Sequence, residues 1–167
     1  VSLTTPAVVT ANLGTCLYVE SPNRTSGIRV ESTEPICHTG MHCLVAGVMG
    51  TTENGERYID ATDIEFTGMM EPVPEVMMTV SHLGGGEFGL QKATGGGVGL
   101  SNVGMLVSTA GRVVEMDPTT QSCRISDGGI FGESVKVVLP MTIPPPPMMQ
   151  MVRVTGVVSC ETQDMRI

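Results

Sequence analysis

"SGIRVES" (residues 26–32) and "ESVKVVL" (133–139) carry the same pattern far apart in one chain, with Ile28 in step with Val135 and Val30 with Val137. In both, apolar residues alternate with polar or charged ones, the period-two signature of a half-buried strand. Working outward, the correspondence continues. "LYVES" (17–21) matches "CRISD" (123–127), and "AVVTA" (7–11) matches "RVVEM" (112–116). Downstream, "LVAGVMG" (44–50) matches "VRVTGVVS" (152–159), with Val45/Val154 and Gly47/Gly156 in step. Order and spacing persist through both copies, which is how an internal repeat announces itself. Turn-forming stretches separate the strands: "SPNRTSG", "TENGE", "MDPTTQS" and "SDGGIFGES". Asn54-Gly55, between two apolar runs, predicts a hairpin whose two turn residues both take positive φ. No segment sustains a 3.6-residue apolar stripe with caps. The chain reads as all-β, two small five-stranded barrels of about five strands each.

The stretch "GGGEFGLQKATGGGVGL" (84–100) holds eight glycines, and Gly84, Gly86 and Gly89 fit the spacing G-x-G-x-x-G. A dinucleotide loop must follow a buried strand and open a helix, because the helix N-terminus receives the pyrophosphate. Here "EPVPEVMMTVSHL" precedes it and more glycine follows, and Lys92 lacks the Gly before and Ser/Thr after that a P-loop needs. The stretch therefore reads as a connector. The resulting division is a first barrel at 1–68, a Met/Pro-rich then Gly-rich connector at 69–101, and a second barrel at 102–167.

Composition narrows the function classes. The 167 residues are 41% hydrophobic and 16% charged, so the chain has enough apolar material to fold. No run approaches the ~20 apolar residues of a membrane-spanning helix. The net charge of −8 repels phosphate backbones and argues against nucleic acid as a partner. The chain begins at Val1 with no signal peptide in view, which fits a secreted chain whose leader has been removed, or a fragment; the expected location is extracellular. Five cysteines (16, 37, 43, 123 and 160) cannot all pair within one chain; Cys37 and Cys43 are close enough in sequence to form a local disulfide.

Sites of chemistry are scarce. "CHTGMHC" (37–43) has zinc-ligand residue types, but all lie within seven residues entering a strand, whereas tetrahedral zinc draws ligands from two separate turns. No metal and no cofactor are expected. The three histidines (38, 42, 82) have no carboxylate partner evident in the sequence, and no G-x-S-x-G occurs, so the chain reads as non-enzymatic. Asp60/Asp63 and Glu53/Glu56 read as solvated carboxylates beside a turn. Asn23 heads an N-glycosylation sequon, "NRT", in a surface turn.

Five short strands, a glycine midway through the fourth and a following hairpin are features of the OB fold. Taken together, "YVESPNRTSGIRVES", "NGERYIDAT", "HLGGGEFGLQ", "TGGGVGLSNVGMLV", "GRVVEMDP", "VKVVLP" and "VRVTGVVSCE" resemble tandem OB-fold modules of secreted bacterial proteins. The resemblance implies two small barrels, an extracellular setting and no catalytic residues. OB barrels receive oligonucleotides or sugars on the face of strands 2 and 3. The corresponding candidates are Tyr18, Arg29, Arg124 and Lys136, with Glu20 and Glu31 beside them. One aromatic among mixed charges is a poor stacking platform. The leading expectation is a secreted structural subunit that self-associates into an oligomer or filament, helped by soft Met-rich and Pro-rich segments such as "MMEPVPEVMM" and "TIPPPPMMQM". The rival is a module that binds polysaccharide, or less readily single-stranded nucleic acid.

Overall fold

The computed structural model describes residues 1–32, 37–92, 99–128 and 134–160. Its strands are β1 (Ala7–Asn12), β2 (Cys16–Glu20), β3 (Gly27–Glu31), β4 (Met41–Thr51), β5 (Arg57–Met70), β6 (Val76–Met77), β7 (Leu106–Asp117), β8 (Ser122–Ser126), β9 (Val135–Val138) and β10 (Met151–Val157). The helical content among the described residues is one 3-10 turn at Val80–His82. The all-β reading stands.

The first five strands close into a barrel in the order β1-β2-β3-β5-β4, with β4 returning to β1. The β3–β5 pairing is parallel and brief, from Arg29↔Tyr58 to Glu31↔Asp60; the others are antiparallel. Inward residues of each strand meet in one core of Val9, Leu17, Val19, Val30, Cys43, Val45 and Ile59, all fully or nearly buried. Gly47 sits at the register shift between Ala46 and Gly47, and a side chain there would run into the Asp60 backbone. That is the close approach a strand glycine permits. Gly156, its counterpart in the sequence comparison, has open space around it.

The β4–β5 hairpin forms where Asn54-Gly55 predicts it, but with different turn geometry. Gly55 N–H bonds to Thr52 O at 3.0 Å and Thr52 N–H to Glu56 O at 2.8 Å. Gly55 alone takes a positive φ, +86°. This is a type I turn closed by a glycine bulge, which needs one left-handed residue where the expected two-residue turn needs two.

The second sheet runs β10-β7-β8-β9, with β6 alongside β7 in parallel. Its succession repeats that of β4-β1-β2-β3 in the barrel. Among the described residues the expected second five-stranded barrel is not closed: the sheet is open. Val158 continues beside the segment before β7, its carbonyl accepting from Gly104 N–H at 2.7 Å and its N–H bonding to Met105 O at 3.1 Å. Cys160 N–H then reaches Glu56 of the barrel at 3.3 Å. Val113, Ile125, Val135 and Val158 are central to this sheet's own core, capped by Val80, Leu83, Val103 and Met105.

Between the 3-10 turn and β7, the first glycines are packed rather than open. Gly84 N–H donates to Asn102 Oδ1 at 2.7 Å, Asn102 Nδ2 donates to His82 O at 2.7 Å, and Gly86 N–H bonds to Gly99 O at 2.9 Å. Two amides that a phosphate would need are thereby engaged within the chain. Residues 93–98 of the Gly-rich stretch lie outside the described residues.

Candidate functional site

In β2 the period-two pattern puts Leu17 and Val19 into the barrel and Cys16, Tyr18 and Glu20 on its outer face. A strand on an exposed barrel would keep that outer face wet. Instead all five residues of β2 are buried: Leu17 and Val19 in the barrel core, Tyr18 against Glu56 of the β4–β5 hairpin, and Glu20 against Leu106 of the second half. Gly27 and Gly104 make the closest approach: a Cβ on Gly104 would lie 2.7 Å from the Gly27 carbonyl carbon and 2.8 Å from Ile28 N.

Two carboxylates hold this junction. Glu20, 0% exposed, accepts from Arg24 Nε at 2.9 Å and from the Leu106 N–H. Arg24, with left-handed backbone at φ +60°, passes its Nη2 on to Leu106 O at 2.8 Å. Glu56, 1% exposed, accepts from the Tyr18 hydroxyl at 3.0 Å and from Cys160 N–H at 3.3 Å, with Arg29 Nη1 3.9 Å away. Gln91, also buried, joins the same seam: its Oε1 accepts from Arg57 N–H at 2.8 Å and its Nε2 donates to Gly55 O at 3.3 Å. The two carboxylates are thus satisfied, as burial requires, while Arg29 Nε is buried without a hydrogen-bond partner.

The sequence candidates fall into two cross-strand pairs on different sheets. Tyr18 lies opposite Arg29 in the barrel, and Arg124 opposite Lys136 in the second sheet. Tyr18 is 2% exposed and bonded to Glu56, which leaves no ring face for a base or sugar to stack on. Arg29 bridges Glu31 at 3.1 Å. Arg124 is held by neighbours on its own sheet, Ser134 Oγ at 3.0 Å and Glu115 at 4.0 Å. Glu56, expected as a solvated turn carboxylate, is instead the centre of the junction. Asn23 lies exposed in its turn, its Oδ1 accepting from Thr25 Oγ1 at 2.8 Å.

Cys37 and Cys43 share the barrel core, and all five cysteines are free thiols. Burial pushes the Cys43 thiol up to about 11, with Cys37 adding to the effect; burial and then the Glu56 charge push Cys160 to about 11. Since the thiolate is the reactive form, the four buried thiols are expected to resist a thiol-specific reagent at neutral pH. The denatured, unreduced chain should then titrate all five. A denatured count two short of that would show that one disulfide has formed and contradict five free thiols. His42 is buried beside this pair while His38 is exposed, and no cluster of three metal-ligating side chains occurs among the described residues.

Beside the junction lies a cleft of about 370 Å³ lined by Glu20, Arg29, Glu56, Arg57, Phe88 and Leu90, among others. Phe88 and Leu90 stand exposed at the tip of a tight turn whose ends, Phe88 and Gln91, bond each other at 3.0 Å. The cleft offers cations, carboxylates and one exposed ring, with no nucleophile–base pair among its walls.

Burial raises the pKa of both Glu20 and Glu56 above 4.5, against the lowering pull of the Leu106 amide and Arg24 on the first and of Tyr18, Cys160 and Arg29 on the second. Burial also raises the Tyr18 phenol, which keeps it a hydroxyl donor to Glu56. The folded state therefore binds protons more tightly than the unfolded chain at these carboxyls. Their linked stabilisation is complete below the ordinary carboxylate value and is lost as pH rises through the raised folded values. Thermal melts should show a higher midpoint near pH 4.5 than near neutrality, and Glu56→Gln should reduce the difference. A midpoint rising steadily from acid to neutral pH would contradict the assignment.

Comparison with family models, with curated proteins and with solved structures finds no match for this chain.

Proposed function

We propose that this chain is a non-enzymatic structural subunit, built from two OB-like units, that self-associates outside the cell into an extended polymer. What carries the reading is the covered outer face of β2. An OB barrel offers that face to oligonucleotides or sugars, and here Tyr18 is engaged by Glu56 and Glu20 by Leu106 of the chain's own second half. The barrel's order β1-β2-β3-β5-β4 and the matching succession β10-β7-β8-β9 support the two-unit description. Open strand edges and exposed methionines support association. Met69, Met70, Met77, Met149 and Met151 are each more than half exposed, and thioether side chains make adaptable apolar contacts. Unpaired edges likewise recruit further strands. Light scattering against protein concentration tests this. The scattering mass is expected to rise with concentration and to persist in high salt, since contacts of backbone and apolar groups are poorly screened. A constant monomer mass would contradict it.

A binding module for polysaccharide is the second reading, and the cleft between Phe88 and the Arg29–Arg57 side favours it. Single-stranded nucleic acid fits less well, given the net charge of −8. Saturable binding of a glycan by a strictly monomeric protein would move the assignment to this class.

A further inference from the structure

We infer that residues 62–67 of β5 pair, antiparallel, with β10 of a second copy of this chain, Glu65 lying opposite Arg153. The inference rests on the self-association reading and gives it an interface. β5 is paired with β3 only as far as Glu31↔Asp60, whereas its pairing with β4 continues to Met41↔Met70. Past Asp60, β5 is thus bonded on one side only among the described residues. Gly68, at φ +78°, ends the regular edge. β10 is bonded to β7 over seven pairs, from Met151↔Arg112 to Val157↔Leu106, and lies at the end of its sheet.

The two edges suit each other in pattern and charge. On β5, Ile64 is half-buried and Asp63 and Glu65 are exposed; on β10, Val152 and Val154 are half-buried and Arg153 and Thr155 are exposed. With Glu65 opposite Arg153, Ile64 meets Val154, Phe66 meets Val152 and Asp63 meets Thr155. Apolar residues then share one face, and on the other Glu65 adds a second carboxylate to Arg153, whose Nη2 holds Glu75 at 2.6 Å and whose Nε donates to Ser108 Oγ at 2.8 Å. A one-residue slip would set Glu65 against a valine and destroy both matches. β10 also holds the place in its sheet that β4 holds in the barrel, and β4 already pairs antiparallel with β5. The joined patches differ, so the contact is heterologous and propagates as a chain unless its rotation closes a ring.

The test uses the full chain. Glu65→Arg, at an exposed site, should leave the circular-dichroism spectrum unchanged and raise the concentration needed for assembly about tenfold, by turning an attractive cross-strand pair into a repulsive one. Separately prepared Glu65→Cys and Arg153→Cys proteins, mixed and mildly oxidised, should give a covalent dimer. Glu65→Cys mixed with Val154→Cys, whose side chain lies on the other face, should not. Wild-type polymers seen by electron microscopy, together with no dimer from the matched pair and no effect of Glu65→Arg, would overturn this interface and leave self-association standing. Wild-type protein that forms no polymer would overturn both.

Discussion

Gly27→Ala is expected to lower stability by about 3 kcal/mol, near the upper end of what overpacking costs. In a chain of this size that is a fall of roughly 6–12 °C in the melting midpoint. A Cβ on Gly27 would overlap the Gly104 carbonyl group and come within 2.9 Å of Met105 N. These are backbone atoms of the segment that leads into β7, so they cannot turn aside as a flexible side chain would. The methyl group can be accommodated only by lifting that segment off β2 and β3. Gly27 has an ordinary negative-φ backbone, unlike Gly104 at +84°, so the substitution isolates the clash from any conformational penalty. A second readout follows from the same geometry. Once the cover lifts, water reaches the Tyr18 hydroxyl, and its phenol should titrate closer to the ordinary tyrosine range. An unchanged midpoint together with an unchanged tyrosine titration would mean that the two halves are not packed as described.

Glu56→Ala should cost about 3–5 kcal/mol, the range found when one member of a buried charged network is removed. The substitution strips an acceptor from the Tyr18 hydroxyl and the Cys160 amide and leaves Arg29 facing a vacated site. Glu56→Gln is the informative companion. The amide keeps the size and one acceptor oxygen and resembles the protonated carboxyl that burial already favours, so its loss should be under half that of alanine. Chemical denaturation of both variants decides the point. Equal losses would show that charge, rather than hydrogen bonding across the seam, is what Glu56 supplies.

Much of the strand plan was legible. Alternation in "LYVES" and "SGIRVES", the Asn54-Gly55 turn and the persistence of order between the two halves place β1 to β4 and β7 to β10 with little ambiguity, because these signals are local. The functional face was not. Tyr18 and Glu20 look solvent-facing by alternation, and only docking of a segment distant in sequence buries them. One hint was available: the outer face of β2 carries Cys16 and Tyr18, an apolar composition unusual for a wet surface. Glu56 was hidden for a related reason, since a carboxylate beside a turn is ordinarily solvated and its partners Tyr18 and Cys160 come from opposite ends of the chain. Gly27 and Gly104 each explain the other, a relation no single-position reading reveals. The open second sheet was equally out of reach. Repetition of four strand patterns suggests a fifth, but closure depends on the course of the chain after β10, and Val158 and Cys160 carry it toward the barrel.

The covered face and the open edges lead to one physical expectation: this protein's partner is another copy of itself. Electron microscopy of the native protein, taken before any denaturing step, tests that most directly. The account predicts regular, extended polymers with a constant axial repeat. A field of dispersed particles of a single chain's mass, at every concentration tried, would contradict it.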